Sequence, residues 1–165
     1  MTIYFHDNST ISTASALGRN TGDILQTTAI SRLTSNYSTT SGTYQDTGLS
    51  ASITPSATSS KIIIIACLDC SGWGDRDRRP NTCICYGSVS NSNKLAQQLS
   101  GEYHTGDGGS YSYGGNTYWY LHSPSTTSQV TYRVGLASLD GSNVRVIGDS
   151  GVDTRSYMFL QEVKG

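Results

Sequence analysis

The stretch GLSASITPSATSSKIIIIA, residues Gly48–Ala66, carries the strongest fold signal in this sequence. Apolar and polar residues alternate over Leu49–Thr54, which predicts a β-strand with one buried face. The segment Pro55–Ser60 is rich in Pro, Ser and Thr and predicts a surface turn. The run Ile62–Ala66 is too β-branched for a comfortable helix and too short to span a membrane, so we expect a strand buried on both faces. Together these features predict a β-hairpin.

The composition favours a single all-β domain with an uncharged surface. The chain has 165 residues, of which 14% are charged, and a net charge of -1. We therefore expect neither nucleic acid nor a membrane as a partner. Eleven Tyr accompany only two Phe, and Tyr suits a surface that stays partly wet or meets another protein. No signal peptide is visible, so we expect synthesis in a cytoplasm with the four Cys reduced.

We divide the chain into an extended N-terminal arm, residues 1–21, and a β-domain, residues 22–165. The arm has few large apolar residues and no sustained period, so it should not fold alone. Its apolar side chains are spaced as separate anchors for a groove on another subunit. These predicted anchors are Ile3, Tyr4, Phe5, Ile11 and Leu17.

Most of the β-domain alternates in polarity between turn residues, which predicts further strands. They are expected at Ile24–Thr34, Thr82–Val89, Thr117–His122, Gln129–Ser138, Val144–Ile147 and Ser156–Val163. Thr82–Val89 should return antiparallel to the Ile run, and Asp140-Gly141 predicts a second hairpin turn. About eight strands without amphipathic helices predict an antiparallel β-sandwich or jelly roll.

Three segments of the domain lack a strand pattern. Ser71–Pro80 has glycines on either side of Trp73 and then a run of charges, which predicts a loop. Lys94–Ser100 is the one helix-like stretch, although it is too short to be stable without packing. Gly101–Asn116 is rich in Gly, Ser and Tyr and predicts a long loop or lid.

The four cysteines have a spacing that superficially resembles a zinc site. On a strand, Cys67 and Cys70 point to opposite faces, whereas Cys83 and Cys85 share one face. Four thiolates converge only if a turn begins at Asp69, so we predict no metal. The favoured interpretation is small buried side chains, and one cross-strand thiol pair is the alternative.

No combination of residues defines a catalytic site. The three histidines lie far apart in sequence and no nucleophile elbow is present. The Gly-rich segments lack the Lys and the following helix of a phosphate-binding loop. Asp75 and Asp77 lie beside three arginines, which favours a solvated ionic loop over a calcium site. We therefore predict no enzymatic activity, no catalytic residues and no cofactor.

An aromatic group is the best candidate for a ligand or interface surface. Its members are Trp73, Tyr103, Tyr111, Tyr113, Tyr118, Trp119 and Tyr120. Aromatic residues among glycines are typical of adaptable recognition loops, and their faces could stack on sugars. The alternative, which we favour, places Tyr118 and Tyr120 on one face of a strand and Trp119 on the other, in core or subunit packing.

Four segments together resemble small virion proteins of bacteriophages, found in tail-fibre-like and head-decorating chains. They are Gly22–Gln26, Leu49–Ala66, Tyr132–Ser138 and Tyr157–Lys164. Their order and spacing carry the resemblance, which extends from Gly22 to Gly165. It implies a homotrimeric β-sandwich on the outside of a virion, without catalytic residues. The segment Trp73–Pro80 and the Tyr-rich loop depart from the pattern, so no shared ligand is implied.

The resemblance leaves two roles open. A capsid decoration (cement) protein that stabilises the head needs an arm to hold the major capsid protein or other virion subunits. An arm of about twenty extended residues spans tens of ångströms, enough to reach between neighbouring shell subunits. A tail-fibre or receptor-binding tip would instead contact host surface glycans, but no repeat is present to build a shaft. We favour decoration. A sugar-binding or signalling module of cellular origin is the third class.

Overall fold

The computed structural model describes residues 3–4, 10–11, 20–74, 79–100, 110–148 and 156–165. Within these ranges the protein is all-β, without helices, and its strands pair antiparallel. Eleven strands form two sheets of seven and four strands. Two further strands, β1 (Ile3–Tyr4) and β2 (Thr10–Ile11), pair with each other. None of the described residues belongs to a helix long and apolar enough to cross a membrane.

The larger sheet is built around the long strand β7 (Lys61–Gly74). Strand β10 (Ser110–His122) pairs along one edge of β7 from Ile62 to Gly74. The other edge is shared, because β13 (Tyr157–Val163) pairs with residues 61–67 and β12 (Asn143–Val146) pairs with residues 70–73. The remaining strands are β3 (Ile24–Thr27) and β4 (Ser31–Arg32) beside β13, and β5 (Tyr37–Thr39) beside β12.

The smaller sheet has four strands in the order β6, β11, β8, β9. Their bounds are β6 (Gln45–Ile53), β8 (Pro80–Tyr86), β9 (Lys94–Leu99) and β11 (Val130–Ser138). Side chains from both sheets form one hydrophobic core, in which Leu49 and Val134 of the smaller sheet join Ile64 and Leu160 of the larger one. The two sheets therefore share one hydrophobic core.

Eight of the strands pair in a nested order along the chain. Strand β3 pairs with β13, β6 with β11, β7 with β10, and β8 with β9. Each pair is thus enclosed in sequence by the pair before it. Successive pairs alternate between the larger and the smaller sheet. The chain consequently crosses from one sheet to the other at most of its turns.

The predicted alternation is confirmed where one face of a strand meets the core. In β6, Leu49, Ala51 and Ile53 are buried, and in β13 Met158 and Leu160 are buried. The aromatic strand, the strand over residues 129–138 and the turn over residues 55–60 are also present. The period of two in these segments therefore identified the core face correctly.

Both predicted hairpins are wrong. Strands β6 and β7 lie in different sheets, so the Pro55–Ser60 turn connects the two sheets. The Asp140-Gly141 turn likewise joins β11 of the smaller sheet to β12 of the larger one. The Ile run is buried on one face only, because Ile62 and Ile64 face the core while Ile63 and Ile65 remain partly exposed. The alternation of apolar and polar residues therefore predicted where strands lie but not which strands pair.

Several element boundaries also differ from the sequence prediction. The predicted strand Ile24–Thr34 is divided into β3 and β4. Lys94–Ser100 was predicted to be helix-like but forms the edge strand β9, because pairing with β8 overrides local propensity. Strand β8 pairs with β11 and β9, not with the Ile run. Residues 71–74 and 110–116, predicted as loops, extend β7 and β10 by pairing with each other. The two sheets therefore contain eleven strands rather than about eight.

Candidate binding surface on the larger sheet

The outer face of the larger sheet carries a continuous apolar row. Even-numbered residues of β7 from Ile62 to Cys70 face the core, so the odd-numbered residues in this part of the strand face away from it. On that outer side Ile65 lies between Trp119 of β10 and Phe159 of β13, and Ile63 lies beside Leu121. Side chains directly opposite each other in such pairs are about 5 Å apart. We call these five residues, Ile63, Ile65, Trp119, Leu121 and Phe159, the apolar face.

The apolar face is open to solvent at its β10 side. Trp119 is 77% exposed and Leu121 is 52% exposed, while Ile63, Ile65 and Phe159 are partly exposed. Single exposed apolar side chains are ordinary on protein surfaces, but a contiguous group of them marks a contact site. The arrangement is suited to binding another apolar surface.

The nearest neighbours of the apolar face are uncharged, and two cations lie beyond them. In the adjacent row Cys67 lies between Thr117 and Tyr157, and Gln161 lies beside Ile63. A hydrogen bond with Cys67 raises the pKa of Tyr157, which stays neutral. Two cations lie at the edge of this area: Arg32 of β4 is opposite Tyr157, and Lys61 precedes Ile63 on the same face of β7, both exposed. A partner can therefore cover the apolar face itself without burying an unpaired charge, provided that Arg32 and Lys61 stay at the edge of the contact.

A shallow pocket lies further along the same sheet. It is lined by Ser71, Gly72, Trp73, Asn143 and Arg145. Trp73 is opposite Asn143 and Ser71 is opposite Arg145, and Trp73 is 50% exposed. Eight residues separate Ile65 from Trp73 on β7, a distance of about 26 Å at the usual rise of a strand. The pocket and the apolar face are thus two distinct surfaces.

The structure divides the predicted aromatic group. Trp73, Tyr113 and Trp119 are exposed. Tyr118 is buried, and its hydroxyl donates to the carbonyl oxygen of Thr82 at 2.8 Å. Tyr120 packs partly buried against the core. A surface role for Tyr118 is therefore wrong, and Tyr120 is only partly exposed. The predicted separation of both from Trp119 is confirmed, since a strand alternates its faces.

The rest of the predicted site residues fall wholly or partly outside the described residues. Tyr103 does so, as do Phe5 and Leu17 of the arm. For Ile3, Tyr4, Ile11 and Tyr111 the structure describes the backbone but not the side chains. Tyr111 is opposite Trp73, and Ile3 is opposite Ile11 in the pair formed by β1 and β2, next to Tyr4. The anchoring role of the arm stays a prediction.

All four cysteines are free thiols. Cys67 is on the outer face and Cys70 is in the core, as predicted, while the sulfurs of Cys83 and Cys85 are 3.6 Å apart on one face of β8. The alternative of a thiol pair between the two cysteine-bearing strands is wrong, because these strands lie in different sheets. Burial raises the pKa of Cys70 to about 11 and also raises that of Cys83. Within the described ranges no three His, Cys, Asp or Glu residues are grouped as metal ligands.

His122 ends strand β10 and packs against two tyrosines. Its Nδ1 is 2.9 Å from the hydroxyl oxygen of Tyr132, and its ring lies against Tyr86 with centroids 4.9 Å apart. Burial lowers the pKa of His122, which favours the neutral ring. These contacts fix the end of the strand that carries Trp119 and Leu121.

Sequence reasoning missed three members of the apolar face, Ile63, Ile65 and Phe159. The alternation of Tyr157–Val163 did place Phe159 opposite the core, and this signal was available. The Ile run gave no such signal because both of its faces are equally apolar. No protein-family model and no curated protein sequence matches the chain, so its function has to be inferred from these surfaces and from the resemblance described above.

Proposed function

We propose that this chain is a non-enzymatic structural protein on the outside of a bacteriophage particle, where it decorates and stabilises the capsid as a homotrimer. The observation that carries the proposal is the apolar face, with Trp119 exposed beside Ile65 and Phe159. Such a surface is typical of proteins that work as assemblies. The resemblance of four ordered segments to phage virion proteins supports the location.

The nested strand order supports a jelly-roll β-sandwich. A jelly roll contains eight strands in two sheets connected as Greek keys. The pairs of β3 with β13, β6 with β11, β7 with β10 and β8 with β9 follow this scheme. Strands β4, β5 and β12 are then short additions to the larger sheet. This architecture leaves the outer face of the larger sheet available for subunit contacts.

The trimer is implied by the resemblance, and the apolar face is a surface through which copies could associate. Aromatic side chains contribute large contact areas, about 150–250 Å² each, so the exposed ring of Trp119 favours association. In a ring of three copies the apolar face of each subunit would contact a different surface of its neighbour, and the ring closes without open ends. The uncharged side chains of Cys67, Thr117 and Gln161 beside the apolar face allow close approach of copies, with Arg32 and Lys61 left at the edge of the contact.

The arm is the proposed capsid-binding element, and its base is fixed to the domain. The backbone amide of Gly22 donates to the carbonyl oxygen of Lys164 at 2.8 Å. The backbone amide of Lys164 donates to the carbonyl oxygen of Asp23 at 2.9 Å. The start of the described domain, at Gly22 and Asp23, therefore lies beside the end of the last strand. We propose that the arm, which contains the pair formed by β1 and β2, contacts a neighbouring shell subunit.

The decisive experiment mixes the purified chain with capsids that lack it. Light scattering should give a trimer, and the full chain should bind the capsids to saturation. Deletion of residues 2–19 keeps the contacts of Asn20, Gly22 and Asp23, so the trimer should persist while capsid binding is lost. A monomer at micromolar concentration would contradict the trimer, and full occupancy by the truncated chain would contradict the role of the arm.

The alternative role is a tail-fibre or receptor-binding tip, and the pocket beside Trp73 is the observation that favours it. Labelling of intact particles separates the two roles. Label over the head supports decoration, whereas label confined to the tail shows that the decoration proposal is wrong.

A further inference from the structure

We propose that the pocket lined by Ser71, Gly72, Trp73, Asn143 and Arg145 binds a carboxylated sugar, such as a uronic acid unit of a surface polysaccharide. This activity goes beyond capsid decoration. The proposed sugar site and the apolar face are separate, because the pocket contains residues of β12 whereas the apolar face contains a residue of β13. A trimer formed through the apolar face can therefore keep the pocket open.

Trp73 supplies the stacking surface. Half of its side chain is exposed, and the negative face of an aromatic ring attracts the weakly positive C–H hydrogens of a pyranose. Tyr113 of β10 lies opposite Ser71 and is 63% exposed. Two partly exposed aromatic side chains thus lie near Ser71 on the same face of the sheet. This combination suits a flat ligand with both C–H and hydroxyl faces.

Arg145 supplies the charge that selects an acid. It is half-buried and opposite Ser71, and within the described part of the chain its guanidinium has no hydrogen-bond or ion-pair partner. A guanidinium binds a carboxylate through two parallel hydrogen bonds. Arg145 is the one charged residue among those that line the pocket in the described part of the chain.

Asn143 and Ser71 supply hydrogen bonds to hydroxyl groups. Asn143 is opposite Trp73, and its amide both donates and accepts, as sugar hydroxyls require. One ring, one amide, one hydroxyl and one guanidinium match a single sugar with one carboxylate. A polyphosphate would need several cations or a loop of backbone amides, and an apolar peptide would gain little from these polar walls.

The test compares methyl β-glucuronide with methyl β-glucoside, which differ only in the carboxylate. The chain contains two tryptophans, so its proton–nitrogen NMR spectrum has two indole signals, which Trp119→Phe assigns. The glucuronide should shift the Trp73 signal in the millimolar range, and the glucoside should bind about tenfold more weakly. Arg145→Gln should make the two affinities equal, and Trp73→Ala should abolish both.

The control variant is Arg133→Gln on the smaller sheet, where Arg133 forms an ion pair with Asp46 at 2.9 Å. It should leave the affinity for glucuronide unchanged. The proposal is wrong if neither sugar shifts the Trp73 signal, or if Arg145→Gln preserves the preference for the acid. Loss of the trimer or of capsid binding is measured separately, so failure of the sugar site and failure of the decoration role are distinguishable.

Discussion

Glu162 accepts two hydrogen bonds from Ser56, one from the backbone amide at 2.7 Å and one from the hydroxyl at 2.6 Å. The side-chain amide of Gln26 donates to its other carboxylate oxygen at 2.6 Å and to the carbonyl oxygen of Thr54 at 2.8 Å. Glu162 is fully buried. A carboxylate on the last strand of the larger sheet therefore fixes the turn that carries the chain between the two sheets.

The hydrogen bonds of Glu162 determine how this turn responds to pH. Burial alone raises the pKa of Glu162, but the bonds from Ser56 and Gln26 outweigh burial and lower it from its usual 4.5. A carboxylate with a lowered pKa in the folded state contributes stability that is fully present above the unfolded pKa. This contribution is lost as the pH falls through the folded pKa.

We predict that Glu162→Gln destabilises the fold at neutral pH by about 1–3 kcal/mol, because the new amide group must face donors in a buried site. The variant should also lose less stability than the wild type between neutral pH and about pH 4. Urea denaturation at both pH values measures the two effects. Asp140→Asn, an exposed acid whose acceptor role Asn can keep, is the control. Parallel pH curves for wild type and Glu162→Gln would contradict the prediction.

The contribution of Ser56 is separable from that of the carboxylate. Ser56→Ala removes the hydroxyl donor but keeps the backbone amide. We expect a smaller loss of about 1 kcal/mol in the free energy of unfolding. Combined with Glu162→Gln, the two losses should be less than additive, because both variants disturb one network. Strict additivity in a double-mutant cycle would show that the two residues act independently.

The sequence predicted strands better than it predicted sheets. Alternation in Leu49–Ile53 shows which side chains face the core, but it contains no information about the neighbouring strand. The partner of Ile53 is Val130, far along the chain, whereas the next strand in sequence crosses to the other sheet. Turn composition cannot distinguish a hairpin from such a crossing when both turns are short and polar.

The candidate surfaces were only partly visible in the sequence for the same reason. Trp119 and Phe159 could be placed opposite the core from alternation within their own strands. Their adjacency through Ile65 depends on the pairing of β7 with both β10 and β13. Glu162 breaks the apolar pattern of its strand face, and the donor that explains it lies 106 residues away in sequence. Long-range register, not local propensity, decides these features.

Gly135 provides a test of packing on the outer side of the smaller sheet. A Cβ atom at Gly135 would be 2.7 Å from both Cys83 Sγ and Val89 Cγ1. We predict that Gly135→Ala lowers the free energy of unfolding by about 1–3 kcal/mol, because these neighbours must shift. Gly42→Ala is the matched control, since its Cβ would meet only the carbonyl oxygen of Ser138 at 3.8 Å. Equal stability of the two variants in thermal or urea unfolding would show that the site can relax.

The thiols should react in an order set by their exposure. Cys67 is partly exposed, while Cys70, Cys83 and Cys85 are buried, and the thiolate is the reactive form. Burial raises the pKa of Cys70 to about 11, which further slows its modification. We predict that a maleimide labels Cys67 first and the other three only on unfolding, as measured by mass spectrometry. Cys67→Ser should remove the fast phase, and early labelling of Cys83 would contradict the prediction.

The final prediction tests the apolar face as the site of assembly. Trp119 is 77% exposed in the single chain, so Trp119→Lys should leave the fold and its thermal stability almost unchanged. In an assembled interface the same Lys would be buried without a partner, which costs several kcal/mol and should give monomers. Light scattering measures the size, and faster labelling of Cys67 reports that the neighbouring row of the outer face has opened. Leu139→Lys is the control, because Leu139 is 47% exposed in the segment that follows β11, away from this face. If Trp119→Lys keeps the size of the wild type and the labelling rate of Cys67, the subunits associate through another surface.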